Sequence, residues 1–347
     1  MSVTVHPFGR LPDGREIRLF RIEVPGGLRA DLVEYGAALL SLRVPDRRGG
    51  TTDVVLGFDD LEGCLSPANP HIGAVCGRYA NRISGARFRL DGVEYRLEAN
   101  EGRNLLHGGE RGFSRRPWTG RAAGPAAVAF TLDSPDGDAG FPGRLRVRVT
   151  YSVEDGDTLR LDYEAETDRP TVLNLTNHAY FNLAGHDAGS IDGHLVRIRA
   201  SRYLPVNEEA LPTGEIRSVE GTPLDLREPA ALGERLAGLG RGIDLNYCLD
   251  EWSGSPPAEP FPAAEVVEPA SGLRMECFTT EPGLQLYTAD YLDVEGKGGV
   301  RYRPRGAFCL EAQHWPDSPN RPEFPSTVLR PGETYRQITL YRFSRLD

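Results

Sequence analysis

Two segments of this 347-residue chain set a titratable side chain among apolar neighbours. In Phe308-Cys-Leu-Glu-Ala-Gln313 a strand's period of two puts Phe308, Leu310 and Ala312 on one face and Glu311 and Gln313 on the other. A carboxylate flanked by Leu and Ala is costly to bury unless something polar meets it. An exposed place on an edge strand accounts for Glu311 equally well. The same alternation in Val172-Leu-Asn-Leu-Thr-Asn-His178 aligns Asn174, Thr176 and His178 opposite Leu173 and Leu175. Gln285 and Tyr287 share a face in Gly283-Leu-Gln-Leu-Tyr-Thr288. Three weaker signals join them: Asn81-Arg82, His107 beside Gly108-Gly109, and Asp244 in Gly242-Ile-Asp-Leu-Asn-Tyr247. Each has a plain alternative, a surface ion pair for Arg82, a turn cap for His107 and an Asx turn for Asp244. Together they form an inventory of Glu, His, Asp, Arg and Asn/Gln that suits a neutral, polyhydroxylated ligand.

The elements that must position these residues read as strands. Ile17 to Val24, Asp53 to Phe58, Leu145 to Val153, Thr158 to Glu166 and Tyr335 to Phe343 mix β-branched, aromatic and long side chains in rough alternation. Asp91-Gly92 between Ala86–Leu90 and Val93–Leu97 predicts a tight hairpin, because that turn needs residues that tolerate positive φ. Glu154 to Asp157 joins two longer strands in the same way. Helix-like pieces such as Pro229 to Leu236 are short. The economical architecture is all-β, two packed antiparallel sheets in a large sandwich. The Pro-rich stretch Ser253 to Pro262 reads as a surface loop, since strand-like sequence continues on both sides.

Composition narrows the partners. Forty Lys+Arg against fifty Asp+Glu give a formal net charge of -10. The basic residues are scattered, so nucleic acid is not an expected partner. No run of about 18 apolar residues suggests a membrane span, and the start has no signal-peptide core, so a cytoplasmic location is expected. The oligomeric state is left open. Cys64, Cys76, Cys248, Cys277 and Cys309 form no C-x-x-C pair and read as buried free thiols. His178, His186 and His194 recur eight apart, a spacing that does not gather imidazoles, and H-E-x-x-H is absent; no metal is expected. Gly238-Leu-Gly240-Arg-Gly242 lacks the spacing of a dinucleotide loop, and Lys297, the sole lysine, belongs to no phosphate-loop motif. No cofactor is expected.

Six motifs, Gly77-Arg-Tyr-Ala-Asn-Arg-Ile83, Asn104-Leu-Leu-His-Gly-Gly109, Asn174 to Leu183, Gly242-Ile-Asp244, Glu281 to Thr288 and Glu311 to Asn320, together resemble the galactose mutarotase (aldose 1-epimerase) family. The likeness spans essentially the whole chain. It implies one domain over residues 1–347, a large antiparallel sandwich with a sugar-binding cleft, and an aldose sugar as small-molecule partner. It implies Glu311 as general base, His178 as general acid, and Arg82, His107 and Asp244 as substrate-binding residues, joined by Asn81 and Gln285. Ile243, Leu245, Cys64 and His71 depart from the family's usual residues, which bears on sugar preference. Anomer exchange needs a base at the hydroxyl on carbon 1 and an acid at the ring oxygen. A neighbouring carboxylate is then expected to favour the His178 imidazolium. A hexose 6-phosphate epimerase and a noncatalytic sugar-binding or sensor module are the alternative readings.

Overall fold

A computed structural model of the chain describes residues 1–346. Its largest element is a nine-stranded antiparallel sheet whose centre is built from Ala127–Ser134, Leu145–Glu154, Thr158–Thr167, Tyr335–Arg345, Leu273–Thr279 and Phe261–Glu268 in that spatial order. The alternation of these segments is realised as burial. In Leu145–Glu154 every second residue from Leu145 to Val153 is buried. A five-stranded sheet from Ser2–Arg10 to Thr51–Asp53 and a second five-stranded sheet ending in Asp244–Cys248, Gly283–Tyr287 and Cys309–Gln313 complete the sandwich. One continuous apolar cluster joins all three, with Phe20 and Leu32 from the first, Phe130, Leu161 and Tyr341 from the largest, and Leu245, Leu284 and Leu310 from the third. Burying large side chains of this kind contributes roughly 1.5–3 kcal/mol each and is the main force holding the layers together.

The Asp91-Gly92 hairpin forms as expected, with Leu90 opposite Val93 and φ of 50° and 81° at the two turn residues. Two expectations are corrected. The helix runs over Leu232–Leu239 rather than Pro229 to Leu236, because Ala230–Ala231 pair with Leu195 and Val196 as a short strand first. The glycine-rich turn closes that helix, with Gly240 as its left-handed cap. The strand expected over Asp53 to Phe58 stops at Asp53; beyond it the chain makes one bridge, Val55 to Phe181, and is held instead by a buried lysine. Among the described residues, no helix is long and apolar enough to cross a membrane.

The strand Cys309–Gln313 lies at the edge of its sheet, which leaves alternate carbonyls without strand partners. Side chains of the nine-stranded sheet supply them: Tyr341 Oη donates to Leu310 O at 2.9 Å and Gln337 Nε2 donates to Ala312 O at 3.0 Å. These two bonds bracket Glu311 and fix its backbone from behind.

Candidate active site

Register alone assembles half of the site. Asp244 lies opposite Tyr287, which lies opposite Cys309; one step along, Asn246 faces Gln285, which faces Glu311. Directly paired residues share a face, so Asp244, Gln285 and Glu311 project to the same side, away from Leu245, Leu284 and Leu310 in the core. The predicted division of Phe308–Gln313 into two faces is what the structure shows. Glu311 is 2% exposed although its strand lies at a sheet edge, so the exposed alternative is excluded.

Gln285 Nε2 donates to Asp244 Oδ1 at 2.6 Å, leaving Gln285 Oε1 buried and unpartnered. Arg82 approaches Asp244 Oδ2 at 3.9 Å and is itself gripped by Glu101, with Nε and Nη2 bonded to the two carboxylate oxygens at 2.6 and 2.8 Å. Nothing in the sequence singles out Glu101, 19 residues from its partner. It is the residue that orients Arg82.

His178 comes from the other wall. Thr176 and Asn177 pair with Cys76 and Val75, and the His178 amide continues this pairing by donating to Ala74 O at 2.8 Å. The ring is stacked on Tyr180 at 5.0 Å and 17°, and meets the edge of Tyr287 at 6.3 Å. Its Nε2 lies 3.7 Å from Glu311 Oε2, an oxygen that is buried and has no hydrogen-bond partner. The expected polar face of Asn174, Thr176 and His178 is only partly available to a ligand. Asn174 is consumed in structure, accepting from His314 N and donating to Ala80 O and His314 O.

Asn81 and His107 are tied to each other. The His107 amide donates to Asn81 O at 3.1 Å, and the Asn81 amide donates to His107 Nδ1 at 3.2 Å. A backbone N–H can only donate, so Nδ1 carries no proton and His107 presents Nε2–H as a donor. His71, one of the four departures, completes a group of three imidazoles, 5.0 Å from His107 and 6.3 Å from His178 between ring centroids. Ile243 and Leu245 pack in the main core and Cys64 in a second apolar cluster. All five cysteines are buried and free.

Ligand atoms of His107, His178 and Glu311 lie within 4.8 Å of one another, a metal-like convergence that the sequence spacing did not show. The hydrogen bond to His107 argues against a metal there. Ligation through Nε2 requires Nδ1 to hold the proton, and the Asn81 amide occupies that position.

Burial sets the protonation pattern. It pushes Glu311 well above the usual carboxylate range, with Asp244 adding to the rise and Arg82 opposing it. It pulls His178 down to about 4 and His71 to about 3, and His107 well below its usual value. Asp244, deep in the recess yet with 34% of its side chain reachable by solvent, is raised by lost hydration against the opposing pull of Arg82 and Gln285. The expectation that a neighbouring carboxylate lifts His178 is therefore corrected. Lost hydration sets the fall at His178, opposed only by a hydrogen bond to its own backbone, and with Glu311 raised the neutral acid and neutral imidazole are favoured over the ion pair.

A sandwich carrying a buried carboxyl–imidazole pair, ringed by an amide, a carboxylate, a guanidinium and an imidazole donor, is the arrangement of an acid/base enzyme for a neutral hydroxylated substrate. Comparison with known proteins specifies the kind. Residues 18–342 match the family model described as aldose 1-epimerase. The chain is 46% identical to human galactose mutarotase over 99% of both chains, and 35% identical to the aldose 1-epimerase of Escherichia coli (strain K12) over 96% of both. A solved structure of a GalM/aldose epimerase homologue from C. elegans superposes with a TM-score of 0.87 at 33% identity, covering 95% of this chain and 99% of that one. The chain belongs to the aldose 1-epimerase family, and its function is that of an aldose 1-epimerase, an isomerase.

Proposed function

We propose that the protein interconverts the α and β anomers of a free aldohexose such as galactose or glucose, with Glu311 and His178 as its proton-transfer pair. The observation that carries this reading is the unpartnered Glu311 Oε2 facing His178 Nε2 at 3.7 Å. Glu311 removes the proton of the anomeric hydroxyl while His178 protonates the ring oxygen. The bond between carbon 1 and that oxygen breaks, giving an aldehyde and a free hydroxyl. After rotation about the bond between carbons 1 and 2, neutral His178 takes the proton back from that hydroxyl as its oxygen attacks the other carbonyl face, and Glu311 returns its proton to oxygen 1. The pair regains its starting state, and no cofactor enters the balance.

Burial sets where the shared proton rests. Ordinary Glu and His differ by about two pKa units, with His the stronger base. Raising Glu311 and lowering His178 closes and inverts that gap, so the pair rests as neutral acid and neutral imidazole, and passing the proton from Glu311 to His178 readies both for ring opening. Asn81, Arg82, His107, Asp244 and Gln285 hold the sugar hydroxyls, His107 as donor through Nε2–H and Gln285 as acceptor through Oε1. Arg82 spends Nε and Nη2 on Glu101, and the Asp244 carboxyl stands beside it, a setting that disfavours a phosphate. The same reading takes residues 1–347 as one functional unit acting in the cytoplasm, without nucleic acid. Polarimetry of pure α-D-galactose or α-D-glucose tests it. Catalytic amounts of protein are expected to speed the approach to the same endpoint, for the free sugar more than for its 6-phosphate, and equally after dialysis against EDTA. Preference for the phosphate, or a loss restored by one divalent metal, would contradict it.

The pair works while it holds one proton between its two groups. Adding a second proton requires charging His178, whose pKa lies near 4; losing the last one requires ionising Glu311, whose pKa is raised. The pH profile of kcat/KM is therefore expected to be bell-shaped, with an acid limb near pH 4 and activity maintained through neutrality. An acid limb centred near 6.5, the value of an exposed imidazole, would contradict the part assigned to burial.

A further inference from the structure

The strand that carries Glu311 touches both nitrogens of the His178 ring. Cys309 stands two residues before Glu311 on the same face, and its Sγ lies 3.5 Å from His178 Nδ1, while Glu311 Oε2 lies 3.7 Å from Nε2. Cys309 is fully buried and Tyr180 covers one face of the ring. The mechanism above uses the Glu311 contact and gives the thiol no part.

We propose that Cys309 is a positioning residue for the epimerase reaction, its sulfur accepting the Nδ1–H of His178 so that the transferred proton is carried on Nε2. This rests on the acid role given to His178. When imidazolium gives up its Nε2 proton to the sugar, the neutral ring that remains must keep its proton on Nδ1. A group that accepts there holds the tautomer that can take the proton back, the logic by which a third group orients the base in hydrolytic triads. Sulfur is a weak acceptor and, as a thiol, brings no charge. A carboxylate in its place would favour the His178 imidazolium and alter the proton balance with Glu311. Burial keeps the Cys309 thiol far above its usual pKa, so it stays neutral throughout.

Cys309→Ala removes the buried sulfur outright, whereas Cys309→Ser replaces it with a smaller oxygen that restores an acceptor. Cys309→Ala is expected to lower kcat roughly tenfold with KM little changed, less than the 10²–10⁴ for removing a general acid outright. Cys309→Ser should stay within about threefold of wild type and keep its pH profile. Nitrogen NMR of ring-labelled histidine, with the His178 signal identified by its loss in His178→Asn, should show the Nδ1–H tautomer in wild type and serine variant and a mixture in the alanine variant. Wild-type kcat in Cys309→Ala, or an Nε2–H tautomer in the wild-type enzyme, would overturn the proposal. Full turnover by His178→Asn would instead overturn the acid role itself.

Discussion

Glu311→Gln and His178→Asn are each expected to lower kcat by roughly 10²–10⁴, the usual range for removing one general acid or base, while sugar still binds. Glu311→Gln is isosteric and His178→Asn keeps a polar side chain at a buried position, so folding should survive both. Each group is proposed to serve a proton transfer in the same ring-opening step, so the double variant should lose much less than the product of the two single losses. Asp244→Asn and His107→Asn should behave differently, weakening affinity at least as much as turnover, because their proposed bonds are to hydroxyls that do not react. Initial rates at saturating sugar, set beside calorimetric affinities, separate the two patterns.

The second large effect lies away from the reacting atoms. Lys297, the sole lysine, is buried, and its ammonium donates to Leu40 O at 3.0 Å, Val55 O at 2.7 Å and Asp53 Oδ2 at 2.7 Å, using all three protons. Burial works to raise Asp53, but Lys297, Ser41 Oγ and the Leu42 amide more than offset it, and the carboxyl ends below its usual range. The segment pinned in this way backs the site, since Leu56 N donates to Tyr180 O at 2.9 Å and Tyr180 stacks on His178. Lys297→Met leaves Asp53 buried without its counter-charge and should cost about 3–5 kcal/mol of stability. Adding Asp53→Asn should recover much of that loss, because no unpaired charge then remains inside. Chemical denaturation measures both; a single-variant loss below about 1 kcal/mol would show that the pair is not needed.

The sequence showed those parts of the molecule that follow from local periodicity. Alternation located the long strands and the two faces of Phe308–Gln313, and the Asp91-Gly92 turn fixed its hairpin. The segment after Asp53 looked like strand because its residues are apolar; they are buried in the apolar clusters, while the backbone bonds to Leu42, Lys297 and Tyr180 in turn rather than to one sheet partner. At the site, Glu311, His178, Asn81, Arg82, His107, Asp244 and Gln285 were all candidates, and the fold brings them together. Glu101 and Cys309 went unrecognised as members because their partners lie 19 and 131 residues away, at no repeating interval. Asn174 resembled a ligand-binding residue and is a backbone clamp, a difference that depends on where His314 sits. The direction of the Glu311 and His178 shifts was equally hidden, since it depends on how much water the assembled walls exclude.

The most direct test is the initial polarimetric rate of α-D-galactose or α-D-glucose, measured at saturating sugar for wild-type protein and Glu311→Gln side by side, with calorimetric affinity for both. The account predicts a rate well above buffer for the wild type, a loss of roughly 10²–10⁴ for the variant, and affinity retained in both. Wild-type turnover by Glu311→Gln with unimpaired binding would contradict it.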